Sequence, residues 1–211
     1  MVTFRGCVKG YCQIQIVNGT YGAITTPFQQ YVSVPITPSI QNMVSDIRQI
    51  NFQDGNGNII PAWLESVSGT LWASASVSAV NYWLKLTSPA TISAGATVTV
   101  YMCFNSINVM DGITTGCAPQ LTSTYAQYDN GTNVFSNYWN FVGTSLPSGL
   151  TALLNTSEIT VNNGITFSGG ADALVYFGPI AYPQIIETQI ITPVSGTYPG
   201  VVIGEATTTT P

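Results

Sequence analysis

Residues 125–141 read YAQYDNGTNVFSNYWNF, and the way this run is buried decides the fold. Tyr125, Tyr128, Phe135, Tyr138, Trp139 and Phe141 surround one turn signal, Asp129-Asn130-Gly131, in a chain otherwise rich in small polar residues. Aromatic side chains bring the largest apolar area per residue, so this density asks for burial, while Asn-Gly offers the positive φ angles of a tight turn. The residues favour a core seam between two β-layers. The sharper alternative is a sugar-stacking platform, in which Trp63 and Trp139 with Asp129 and Asn130 meet a ligand.

Working outward, the chain is long enough at 211 residues for one large β-domain or two smaller ones. Its charge is sparse. Only 6% of residues are charged, 4 basic against 9 acidic, and histidine is absent. With 45% hydrophobic residues this is not a disordered composition. Arg5, Lys9, Arg48 and Lys85 are scattered, whereas phosphate neutralisation needs clustered cations, so nucleic acid is not an expected partner. Few carboxylates and no histidine also predict a stability that depends weakly on pH down to about 3. No signal-peptide core and no run of membrane-spanning length is visible, so membrane insertion is not expected. Either the chain is a mature or excised piece, or it is expected to reach the outside by another route, such as virion assembly.

Turn signals recur every 8 to 12 residues, the spacing of a sandwich of about seven strands. Residues 13–17 (QIQIV) and 31–36 (YVSVPI) alternate; 46–52, 59–66, 77–86 and 96–104 (ATVTVYMCF) continue the pattern, with Asp54-Gly-Asn-Gly-Asn58 as a hairpin turn and Pro61 marking an edge or bulge. The polar stretch 105–119 suggests a boundary, giving a β-sandwich domain over 1–110 and a second β-domain over 111–211. Strands are expected in the latter at 158–167, turning at Asn163-Gly164, and at 173–177, 184–192 and 200–204. The fold class is all-β.

Cys7, Cys12, Cys103 and Cys117 allow three pairings. Zinc is disfavoured because the spacings are not tight knuckles. The local disulfides Cys7–Cys12 and Cys103–Cys117 are expected, the larger loop contributing about 3 kcal/mol through loop-closure entropy, in an oxidising or hyperthermophilic setting.

Residues 46–48 (DIR), Phe52, Asp54-Gly55, 62–65 (AWLE), 82–86 (YWLKL) and 99–102 (TVYM) resemble a domain of unknown function that commonly precedes a concanavalin-like jelly roll in archaeal surface proteins. The resemblance runs on through Gly116, 118–121 (APQL), Tyr125, 128–131 (YDNG), Val134-Phe135 and Asn140-Phe141, and covers most of residues 10–205. Its motifs are specific to the family but carry no known chemistry. It implies an Ig-like or jelly-roll-like β-sandwich leading into a partial concanavalin-like jelly roll, on secreted or cell-surface proteins of thermoacidophilic archaea and on tail or spike proteins of their viruses. The family usually has an acidic residue where Cys117 stands and a small or apolar one where Cys103 stands, a double departure that fits a coupled gain of a disulfide. In the family, strands like 184–192 and 200–204 lie near the middle of the jelly roll. The second domain is therefore expected to be completed by residues beyond 211 or by a strand from a neighbouring subunit.

Catalysis through a Ser-His-Asp or Cys-His arrangement is excluded by the missing general base. Glu65, Asp129, Glu158 and Glu187 would suffice in number for glycoside hydrolysis, but none sits in a recognisable acid or nucleophile context. No cofactor is expected. Asp54, Asn56, Asn58 and Glu65 fit part of a calcium-loop template, yet Ile59 stands where its glycine belongs, and the hairpin reading is preferred. At Asp129 and Asn130 a lectin-type calcium site competes with a plain turn. Sequons at Asn18, Asn130 and Asn155 make Asn18 and Asn155 the expected glycosylation sites, with Asn130 shielded by the seam. The function these readings favour is a non-enzymatic structural or attachment module, extracellular, on the cell surface or on a virion. Its partners would be other copies or subunits of a surface assembly. A carbohydrate-binding domain for cell-surface glycans is the alternative, and a glycosidase the weaker one.

Overall fold

The computed structural model describes residues 7–19, 21–68, 77–106, 130–168 and 173–178. It divides into two compact units, Met1–Tyr138 and Trp139–Pro211. This division falls inside the aromatic run, and Val134, Phe135 and Tyr138 pack on the first unit.

In the first unit the elements are β1 (Gly10–Val17), β2 (Ile24–Thr25), β3 (Phe28–Pro35), the helical turn α1 (Pro38–Gln41), β4 (Ile50–Gln53), β5 (Ile59–Ile60), β6 (Ala62–Ser68), β7 (Ala79–Leu86), β8 (Thr91–Ile92), β9 (Thr97–Phe104) and the helical turn α2 (Gly131–Val134). They form a β-sandwich. One antiparallel sheet has the order β1-β9-β4-β5 and the other β3-β7-β6, with β2 and β8 as a separate pair. The alternation that announced the strands also sorts their faces. Val80, Tyr82, Leu84 and Leu86 of β7 meet Val100, Met102 and Phe104 of β9 and Ile50 and Phe52 of β4 in one buried core. Phe52 and Tyr82 join the two layers edge to face, ring centroids 4.8 Å apart, a contact worth about 0.5–1.5 kcal/mol beyond its burial.

Two expected strands are each divided in the structure. Residues 46–52 begin as a 3-10 turn, Ile47–Gln49, because the Asp46 carboxylate accepts the Arg48 backbone N–H and caps it. Residues 59–66 break at Pro61, which cannot donate to a ladder; β5 before it belongs to one sheet and β6 after it to the other. Pro61 is thus the corner of the sandwich.

The disulfide expectation is corrected: Cys7 pairs with Cys103, Cα atoms 4.6 Å apart, and Cys12 is free. The reason is strand parity. Cys12 lies opposite Met102 and packs against the core, while Cys103 lies opposite Tyr11 and so points to the other face of the sheet. A turn in which Gly10 N–H donates to Cys7 C=O folds Cys7 back toward that face. Cys117 lies outside the described residues.

The second unit contains β10 (Leu150–Leu154), β11 (Ile159–Val161), β12 (Ile165–Phe167) and β13 (Leu174–Phe177), paired as β10-β13 around β11-β12. Asn163 and Gly164, with φ of 50° and 143°, make the turn read from the sequence. The strands expected at 184–192 and 200–204 lie outside the described residues.

Candidate functional site

Outward-facing positions of β3-β7-β6 place three aromatic rings in one cross-strand row, since Tyr31 pairs with Trp83 and Trp83 with Trp63. α2 and the residues after it lie on this row. Val134 is fully buried; Phe135 stands edge-on to both Trp63 (5.3 Å) and Trp83 (5.8 Å) and stacks with Tyr138. Polar contacts fix the segment at three points. Gln29 Nε2 donates to Val134 C=O at 2.9 Å, Lys85 Nζ to Asn133 C=O at 3.3 Å, and Asn130 Nδ2 to Ala62 C=O at 2.8 Å. Gln29 and Lys85 are themselves cross-strand partners, and they serve carbonyls that a single helical turn leaves without intrahelical donors.

A β-bulge completes the arrangement. The register of β6 against β7 shifts between Leu64 and Ser66, and Glu65, the extra residue, turns to the outer face, where its Oε2 accepts the Trp83 indole N–H at 2.8 Å. Trp63 is left 4% exposed and Trp83 8%. This face is a second, small hydrophobic core closed by the chain itself, and the expected sugar contact at Trp63 is corrected accordingly. The seam is nevertheless not between two β-layers: a helical turn supplies its other side. Gly131 keeps a helical backbone there, and the absence of a side chain lets the Tyr138 ring approach.

The remaining site residues are dispersed. Trp139, half-buried, belongs to the second unit, where it contacts Phe177 at 5.1 Å and donates to Ser148 C=O at 3.1 Å. Asn130 uses both ends of its amide, donating to Ala62 and accepting from Asn133. Asp129 and Glu187 lie outside the described residues. Asn18 is buried, and its Nδ2 donates to the carbonyls of Gly22 (2.8 Å), Ile92 (2.9 Å) and Ser93 (3.1 Å). Its expected glycosylation is therefore corrected: the nitrogen that would carry the sugar is held inside the fold. Asn155 is exposed, with φ of 43°, at the start of a 3-10 turn, Thr156–Glu158.

Asp54 closes its hairpin as the sequence suggested, accepting from the N–H groups of Asn56 (2.8 Å) and Asn58 (2.9 Å) and from Asn58 Nδ2 (2.8 Å). Burial by itself would raise its pKa, but these hydrogen bonds outweigh it and hold the carboxyl below its ordinary value. A shallow cavity of about 160 Å³ beside this turn is smaller than the roughly 300–1,000 Å³ of small-molecule sites. Among the described residues no three His, Cys, Asp or Glu side chains are grouped to hold a metal, and no helix is long and apolar enough to cross a membrane.

One grouping was not read from the sequence. On the outer face of β1 and β9, Tyr11 and Tyr101 meet edge to face at 5.4 Å, beside Gln13 and Gln15. Tyr11 precedes the strand expected over 13–17, and the register joining two strands at opposite ends of the first unit was not legible.

Over 129 residues the chain is 35% identical to "Uncharacterized protein 562" of Sulfolobus islandicus rod-shaped virus 1. It is thus similar to a protein of an archaeal virus. The matched stretch is 60% of this chain and 21% of the viral protein, so the chain spans about a fifth of that relative. No family model matches the chain, and no solved structure matches it.

Proposed function

We propose that this chain is a non-enzymatic structural and attachment module of an archaeal virus particle, working outside the cell beside other copies or subunits of a surface assembly. The observation that carries this reading is the similarity to a viral protein in which the matched stretch is only 21% of the length, as expected of one module in a long multi-part chain. The Cys7–Cys103 disulfide suits an oxidising or extracellular setting. The aromatic face sealed by the chain's own segment supports a packing role for the tryptophans over an open catalytic cleft.

Antibodies raised against the protein test the proposal. Gold labelling of intact purified particles, together with loss of the chain from particles treated with protease and then washed, is expected to place it on the surface. Abundance in infected cells with absence from purified particles would refute it.

A further inference from the structure

We propose that the outer face of the β1-β9 pair binds a neutral glycan, with Tyr11 and Tyr101 as its ring platform, Gln13 and Gln15 as its hydrogen-bonding rim and Asn51 of β4 at its edge. The register sets Gln13 opposite Tyr101, Gln15 opposite Thr99, and both Tyr11 and Asn51 opposite Cys103. All of these positions have outward parity. Tyr11 is 51% exposed and the side chains of Gln13 and Gln15 are exposed, while Tyr101, Thr99 and Asn51 are half-buried.

Three properties select the ligand. Gly10–Val17, Ile50–Gln53 and Thr97–Phe104 contain no Asp, Glu, Lys or Arg, so an anionic or cationic polymer finds no counter-charge along these strands. Primary amides both donate and accept, as sugar hydroxyls do, and tyrosine offers an apolar face with a polar tip to the C–H side of a pyranose. The platform is also held in place: Tyr11 sits opposite Cys103, which is tied covalently to Cys7, so little ordering cost falls on binding.

Size argues against a second copy as the occupant. Adjacent strands lie about 4.8 Å apart and outward residues on one strand about 6.8 Å apart. Three such residues on each of β1 and β9 give a patch on the order of 200 Å², against the roughly 800 Å² per partner of a stable protein interface. A short run of sugar rings fits that strip.

The test is titration of the isotope-labelled protein with maltohexaose, cellohexaose and mannohexaose, followed through the side-chain amide signals of Gln13 and Gln15. At least one sugar is expected to shift them saturably, with affinity falling tenfold or more in Tyr11→Ala. Tyr21→Ala, which removes a fully exposed tyrosine outside this face, is expected to bind as the parent does. Thermal melts of both variants verify folding. The proposal is overturned by no shift with any of the three sugars, by unchanged binding in Tyr11→Ala, by shifts with a sulfated oligosaccharide alone, or by shifts that follow protein concentration without sugar. It does not rest on particle location, so failed surface labelling would leave it standing.

Discussion

The ring of Tyr138 lies against the backbone of Gly131, filling the space that any Cβ at 131 would occupy. Gly131→Ala therefore tests volume alone, since the backbone there is helical and suits alanine. The ring must move off Trp63, and overpacking of this kind costs about 1–3 kcal/mol. Denaturant melts read by tryptophan fluorescence are expected to show that loss. Gly22→Ala, with open space around its Cα, should stay within about 0.5 kcal/mol of the parent.

Phe135 is the shared neighbour of the two buried indoles. Phe135→Ala opens a gap between Trp63 and Trp83, and because the ring is only half-buried the cost should fall near or below the roughly 3 kcal/mol that marks the lower end for core phenylalanines. The native emission maximum should also move to the red as water reaches the indoles. A blue or unshifted maximum with unchanged stability would contradict the sealed-face description.

Strand positions were legible because alternation is a local property. Residues 31–36 and 77–86 announced β3 and β7, and Pro61 announced an edge or bulge where the chain in fact passes from one sheet to the other. Which strands become neighbours was not legible, since pairing β1 with β9 depends on the whole core closing. The same limit explains the cysteines: local spacing favours Cys7 with Cys12, but the faces those residues occupy are set by a partner strand almost the whole first unit away. It also explains why the aromatic run announced burial but not what it would be buried against. Asn18 reads as a sequon and behaves as an internal brace, because a sequon is defined by three residues and burial by the loops that enclose them.

The Cys7–Cys103 bond joins residues 96 apart in sequence, and loop-closure entropy for a loop near 100 residues is about 4.7 kcal/mol. Cys7→Ser, at the half-buried end of the bond, should lower the denaturation midpoint substantially, and reductant should then have no further effect on this unit. Peptide mapping without reduction is expected to recover Cys7 linked to Cys103. Cys12 should react slowly with thiol reagents in the native state, because burial raises its pKa and thins the reactive thiolate.

Asp46 and Asp54 both titrate below their ordinary values in the fold, Asp46 chiefly through the Arg48 guanidinium hydrogen bonds and Asp54 because its turn hydrogen bonds outweigh burial. For a carboxylate depressed in the folded state, the stabilisation is complete above the unfolded pKa, about 3.9, and is lost as pH falls through the folded value. With no histidine in the chain, the melting temperature should be level between pH 7 and pH 5 and decline only below about pH 4. A fall beginning near pH 6 would run against this assignment. Asp46→Asn should flatten the acid limb only modestly, because the Arg48 and Asp46 side chains are 34% and 28% exposed and solvent screens the pair.

Asn18 offers the clearest separation of a sequence motif from its structural use. Its side-chain nitrogen spans the loop at Gly22 and the end of β8 at Ile92 and Ser93, while Asn18 N–H donates to Ala96 C=O and Gly95 N–H to Asn18 C=O. The residue thus ties the chain after β1 to the chain leading into β9. Asn18→Ala leaves buried carbonyls without their donor, at about 1–3 kcal/mol for each group that water does not reach. Asn18→Asp is expected to be as harmful, because a carboxylate replaces the donor with an acceptor facing three carbonyl oxygens. Expression in a glycosylating archaeal host completes the test. Any glycan mass on the described sequons should vanish in Asn155→Gln, whose parent side chain is exposed, and should not depend on Asn18. Recovery of a glycopeptide containing Asn18 from folded protein would overturn the buried brace, since the same nitrogen cannot carry a sugar and fill that position.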